Sequence, residues 1–157
     1  MCKTACSMSE PILPSPASGV FIGQVHHFPV RVYYEDTDVS GIVYHANYLR
    51  FMERGRSDML RVIGIDQRAA IDTGQGVYTV ADIALRYIRP ARLDDDLIVK
   101  SSVTQLKNAS CKIHQAIWRG DEQLTRAEVT AAFITLDGRP QRQPPAWMAA
   151  FQRVLAG

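Results

Sequence analysis

The sequence predicts an α+β domain in which one long helix packs against an antiparallel sheet of about five strands. A helical period runs from Tyr44 to Ile63, period-two alternation dominates after residue 76, and the later strands are separated by connections short enough for hairpins. One helix cannot cover that many strands unless the sheet curls around it, because every apolar sheet face needs a layer over it.

The elements follow in order. Val30, Val32 and Tyr34 alternate with Arg31, Tyr33 and Glu35, which reads as a half-buried strand. Asp36-Thr37-Asp38-Val39-Ser40-Gly41 is a polar loop whose glycine is free to take positive φ. Tyr44, Tyr48, Phe51, Met52, Met59, Leu60 and Ile63 then recur at spacings of three and four, and Gly64 sits where such a helix should end. A second, short helix is expected over Asp66 to Thr73. Strands follow at Val77 to Ile88, Asp96 to Leu106, Ser110 to Arg119 and Leu124 to Leu136. The short links at 107–109 and 120–122 make the last three antiparallel neighbours. Pro144 to Leu155 suits a terminal helix with proline at its start.

Composition bounds the function. A chain of 157 residues, 46% hydrophobic and 22% charged, suits one domain that buries a core without staples. Eighteen Lys+Arg against sixteen Asp+Glu leave a net charge of +2 with no long run of one sign, which argues against a dedicated nucleic-acid binder. Three cysteines make no closed disulfide framework, and Cys2 and Cys6 have no partner pair for zinc. Glu10, Pro11, Pro14 and Pro16 interrupt any signal-peptide core. Residues 1–25, rich in Ser, Pro and Ala, are expected to be a disordered tail, with the folded domain at 26–157 and a cytoplasmic location.

The chemistry concentrates between Tyr33 and Arg56. Glu35, Asp36 and Asp38 share a strand–loop–helix corner with His45, and like charges at close range raise one another's pKa toward general acid–base work. The helix start supplies unpaired backbone N–H groups and the positive end of a helix dipole. Acyl transfer needs such donors beside a carboxylate, because negative charge develops on the carbonyl oxygen. Acidic residues before a helix also serve as plain caps, and that reading stands beside the catalytic one. Asp36-x-Asp38 with His45 lacks the further ligand a metal would need, so no metal is expected.

Three blocks of this region carry a resemblance: Val30-Arg31-Val32-Tyr33-Tyr34-Glu35-Asp36-Thr37-Asp38, Gly41-Ile42-Val43-Tyr44-His45-Ala46-x-Tyr48 and Phe51-x-Glu53-Arg54-x-Arg56. A further block, Tyr87-x-x-Pro90-Ala91-Arg92-Leu93-Asp94-Asp95, lies downstream. Together they resemble the Tol-Pal-associated (YbgC-like) acyl-CoA thioesterases of the 4-hydroxybenzoyl-CoA thioesterase group, over roughly residues 28–155. The resemblance implies a hotdog fold, assembled as dimers joined edge to edge and often paired again into a homotetramer. It implies that Asp38 is the catalytic carboxylate, the His45 backbone N–H polarises the thioester carbonyl, and Gly41 keeps the approach open. Tyr44, Arg92, Lys107 and Ser110 become substrate- or CoA-binding candidates, and Asp36 a turn acceptor. No separate cofactor is implied, since coenzyme A is part of the substrate.

Other readings stay open. The thiol carrier could be acyl-carrier protein, and a hotdog dimer could scaffold envelope or lipid-synthesis proteins without catalysis. His27-Phe28-Pro29 superficially resembles a dehydratase tripeptide, but it precedes the first expected strand and lacks the matching glutamate.

Overall fold

The computed structural model describes residues 13–157. Its elements are β1 (Val20–Ile22), β2 (Val25–Arg31), a 3₁₀ turn (Tyr34–Asp36), α1 (Asn47–Val62), α2 (Gln67–Asp72), β3 (Val77–Tyr87), β4 (Asp96–Leu106), β5 (Ser110–Arg119), β6 (Glu122–Ile134) and α3 (Pro145–Val154). Six strands, every neighbouring pair antiparallel, form one curled and unclosed sheet in the order β1-β2-β4-β5-β6-β3. This is the hotdog arrangement that the resemblance implied, with one strand more than periodicity revealed.

The extra strand corrects the boundary expected at His26. Val20–Ile22 pairs with Val25–His27 as a hairpin, and the residues before it are tied down by the Asp58 carboxylate of α1. The rest of the expected tail, residues 1–12, lies outside the described residues.

A second correction concerns the alternating stretch Val30 to Glu35. The strand ends at Arg31 because Val32 turns to the loop opposite, donating its N–H to Asp95 O and accepting from Asp94 N–H, both at 3.0 Å. The Asp36 carboxylate then accepts the Tyr33 N–H at 2.9 Å and winds Tyr34–Asp36 into a turn. A short acidic side chain that captures nearby backbone N–H groups competes with a strand ladder.

The long helix starts at Asn47 rather than Tyr44. Tyr44 N–H and the Asn47 side-chain amide both donate to the Asp36 carbonyl at 2.9 Å, which holds residues 44–46 as an approach to the helix. One face of α1 buries Tyr48, Phe51 and Met52 against Val30, Leu97, Val99 and Ile117 of the sheet, and a turn or two later Met59 and Leu60 against Val103, Ile113 and Ala131. At the far end, Tyr78, Phe133, Trp147 and Phe151 pack edge-on and stacked as α3 closes the core.

A polar tether crosses this core. Gln115 of β5 donates to the Met52 carbonyl at 3.0 Å and to Ser101 Oγ at 2.9 Å, while its oxygen accepts from Arg56 at 2.7 Å. All of these side chains are buried, so each finds its partner inside the protein. Nothing in the hydrophobic pattern announces this network.

Candidate active site at the start of the central helix

The loop from Tyr33 to Ala46 is built by backbone groups more than by packing. Asp38 and Ile42 face each other through a 3.1 Å N–H···O bond, and Gly41 N–H closes a tight turn onto Asp38 O at 3.0 Å. Gly41 takes φ +76°, and a Cβ there would meet nothing within 4 Å, so its requirement is conformational rather than steric.

The three carboxylates do not form one cluster. Asp36 is buried and committed to the Tyr33 N–H, which gives it the turn-acceptor position the resemblance implied. Glu35 is exposed. Asp38 is exposed, accepts the Ser40 N–H at 2.8 Å and also the Ser40 hydroxyl. Those two hydrogen bonds hold the Asp38 carboxyl below the usual carboxylate range, and the nearby His45 pushes the same way. The expectation of a mutually raised carboxylate cluster is therefore corrected: the Ser40 donors outweigh burial, which is what opposes them at Asp38.

His45 stands in the last turn before α1. Its ring lies 4.4 Å from the Tyr44 ring, centroid to centroid, and 6.5 Å edge-on from Tyr87. Its carbonyl accepts the Tyr87 hydroxyl at 2.8 Å. The N–H groups of His45 and Ala46 have no acceptor among the described residues, while the neighbouring Tyr44 and Asn47 amides are both bonded. A free pair of amides is thus left at the head of the helix, on the same loop as an Asp38 carboxylate that feels the charge of His45.

The downstream block secures this corner from the other side. Ala91 is buried, donates its N–H to the Tyr48 hydroxyl at 2.9 Å and accepts the Val43 N–H at the same distance. Arg119 grips Asp95 at 2.6 Å, and Asp95 also accepts the Arg92 N–H at 2.8 Å. Arg92 itself is exposed on this loop, close to the candidate site. Tyr48, Tyr87 and Arg119 were not singled out from the sequence. The two tyrosines stand inside the matched blocks, but their hydroxyls look like ordinary core or surface groups until the fold brings the blocks together.

Lys107 and Ser110 are elsewhere. They close the β4–β5 hairpin, with Lys107 N–H on Ser110 O at 2.8 Å and the Gln143 side chain bridging both carbonyls. The full length of β4, eleven residues and so roughly 35 Å, separates this turn from the Asp38 corner. A single chain brings Asp38, Gly41, Tyr44, His45 and Arg92 to one end of the sheet and leaves Lys107 and Ser110 at the other. Among the described residues no cluster of His, Cys, Asp and Glu is arranged to hold a metal ion.

Residues 32–155 match the profile of the Thioesterase-like superfamily. The chain belongs to that family. It is a thioester hydrolase and a homologue of YbgC: the acyl-CoA thioesterase YbgC of Haemophilus influenzae is 39% identical over 128 residues, covering 81% of this chain and 94% of that protein. A probable thioesterase from Bartonella henselae, solved as a crystal structure, superposes with a TM-score of 0.73 at 37% identity, covering 76% of this chain and 99% of the other. A 1,4-dihydroxy-2-naphthoyl-CoA thioesterase from Synechocystis shares the fold at a TM-score of 0.76 and 21% identity, over 82% and 96% of the two chains. In this thioesterase the matched region begins at residue 32, after β1 and β2, so the N-terminal hairpin falls outside what the family profile describes.

Proposed function

We propose that the chain hydrolyses acyl-CoA thioesters, with Asp38 and the amides at the head of α1 as its working groups. The observation that supports this best is the pairing of an ionised, solvent-facing Asp38 with the unbonded His45 and Ala46 N–H groups. In one route Asp38 attacks the thioester carbon, an acyl-aspartyl anhydride forms, coenzyme A leaves as the thiolate, and water cleaves the anhydride. In the other Asp38 accepts the proton of a water that attacks the same carbon. In both, charge gathers on the carbonyl oxygen, and the free amides stabilise it. Gly41 holds the turn open, while Tyr44 and Arg92 flank the approach. A cavity of about 230 Å³ lies farther along the same helix between Glu53, Leu60, Val80, Ile113, Ala131 and Phe151, and it offers a mixed polar and apolar recess for the acyl group.

Release of coenzyme A from a panel of short, long-chain and aromatic acyl-CoAs, with acyl-carrier-protein thioesters alongside, tests the proposal. No turnover of any CoA ester would favour the carrier-protein or scaffold reading.

The ionisation of Asp38 carries its own expected result. A carboxylate that must be charged gives activity above its pKa and loses it as the pH falls. Ser40 depresses that pKa, so Ser40→Ala should move the acid limb of kcat/KM to higher pH and leave the plateau nearly unchanged. An unmoved limb would mean that another group sets it.

Assembly is part of the same proposal. Among the described residues β3 is paired only with β6, which leaves an eleven-residue strand with one open edge, and its own Val80 and Tyr87 and the adjacent Ile88 are exposed. Open edges of that length are normally covered. Edge-to-edge pairing of two copies, and pairing of such dimers, would give Lys107 and Ser110 a route to coenzyme A bound on a neighbouring subunit. Light scattering is expected to give a mass of at least two chains; an active monomer at micromolar concentration would overturn this.

A further inference from the structure

The N-terminal hairpin is fastened to α1 by a single buried carboxylate. Asp58 accepts the Gly19 N–H at 2.7 Å, the Ser18 hydroxyl at 3.0 Å and His26 Nε2–H at 3.0 Å. Arg61 adds a looser contact at 3.6 Å. His26 is fully buried and Asp58 is 3% exposed. The fit is tight, since a Cβ on Gly19 would lie 2.4 Å from the His27 carbonyl and 2.6 Å from the His26 ring. Phe21 of β1 covers that ring with centroids 5.2 Å apart.

One polar atom in this assembly is left over. With Nε2–H given to Asp58, His26 Nδ1 is buried with no partner. A neutral ring tolerates this as a lone pair without a donor. A protonated ring places a second N–H there, pointing at no acceptor in the interior. The charged groups facing His26 are Asp58 and Arg61 on α1 and His27 beside it on β2; β4 presents the uncharged Ser101, and residues 18–22 carry no titratable side chain. Asp58 favours the protonated ring, but burial outweighs it and holds His26 below the ordinary histidine range.

The cheapest relief is to lift β1. That strand is held by three residue pairs to β2 and by the Ser18 and Gly19 bonds, whereas β2 itself is paired along six residues with β4. Lifting it brings water to Nδ1 without breaking the His26–Asp58 bond. We propose that residues 18–22 are an acid-released strap, closed over His26 at neutral pH and freed from the sheet edge when His26 is protonated, while the rest of the sheet stays folded. Release uncovers the β2 edge, a row of backbone groups able to pair with another strand.

The sign follows from linkage. The closed form excludes the proton and the open form, hydrated but still paired with Asp58, accepts it, so the strap is held above the pH at which that open ring titrates, at or above the ordinary histidine value of about 6.5, and weakens as the pH falls through it. Once the open form is fully protonated and the closed form is not, each further pH unit should cost about tenfold in the closing equilibrium.

Amide hydrogen exchange on the full chain between pH 7.5 and 5.0, corrected for intrinsic rates, tests this. Protection at residues 20–22 should fall with pH while β4, β5 and β6 keep theirs, and His26→Gln should make β1 protection independent of pH. The His26 ring resonance of the unmodified protein supplies a measure that needs no variant: its titration should coincide with the loss of β1 protection. Unchanged β1 protection, loss together with the whole sheet, or a His26 titration detached from strap opening would each overturn the proposal.

Discussion

Replacing Asp38 with asparagine is expected to lower kcat for acyl-CoA hydrolysis by ~10²–10⁴-fold, the span that general acid–base groups contribute. The amide is nearly isosteric and its oxygen can still accept from Ser40, so the turn closed by Gly41 should survive. What is lost is a charge able to attack the carbonyl or take a proton. KM should change little, because the loss belongs to the transition state. Asp36→Asn is the control: an amide oxygen there can still accept the Tyr33 N–H, and the Asp36 carbonyl that holds Tyr44 and Asn47 is untouched. If Asp36→Asn were dead and Asp38→Asn active, the roles of the two carboxylates would be exchanged. Small, equal losses would point to a capping function for both.

Removing residues 1–24 is expected to destabilise the protein strongly, against what their composition alone implies. Each hydrogen bond to a charged acceptor is worth about 1.5–3 kcal/mol. The deletion takes the Ser18 and Gly19 donors from Asp58 together with the cover of Phe21. A loss on the order of 3 kcal/mol should lower Tm by on the order of 10 °C in a domain of this size. Thermal unfolding of the full and shortened chains at pH 7.5 measures it directly. An unchanged Tm would mean that the hairpin adds nothing to the folded state.

The parts of this fold that were legible in the sequence are those with a long, uninterrupted period. β4 and β5 fall at the expected bounds, and β3, β6 and α3 within two residues of them, since their alternation and turn residues agree. β2 was misplaced because His26 breaks the apolar rhythm; a buried histidine reads as polar until its partner, thirty-two positions away, is known. β1 has three residues, too few for any period. The Asp38, Gly41 and His45 corner was visible as a motif, and Gly41 proved to need its positive φ. The depressed carboxyl of Asp38 was not visible, because it depends on Ser40 folding back rather than on the density of acidic residues.

The Gln115 tether fixes which parts of the protein can move when substrate arrives. A helix lying on an all-apolar sheet can creep along it by small rotamer changes, since one greasy contact replaces another. Here α1 is pinned midway by a side chain that grips a helix carbonyl and receives an arginine from the next turn. Sliding by even part of a turn would strand those groups inside the core, at a cost of about 1–3 kcal/mol for each. The helix therefore behaves as a fixed rail whose leading end keeps constant aim.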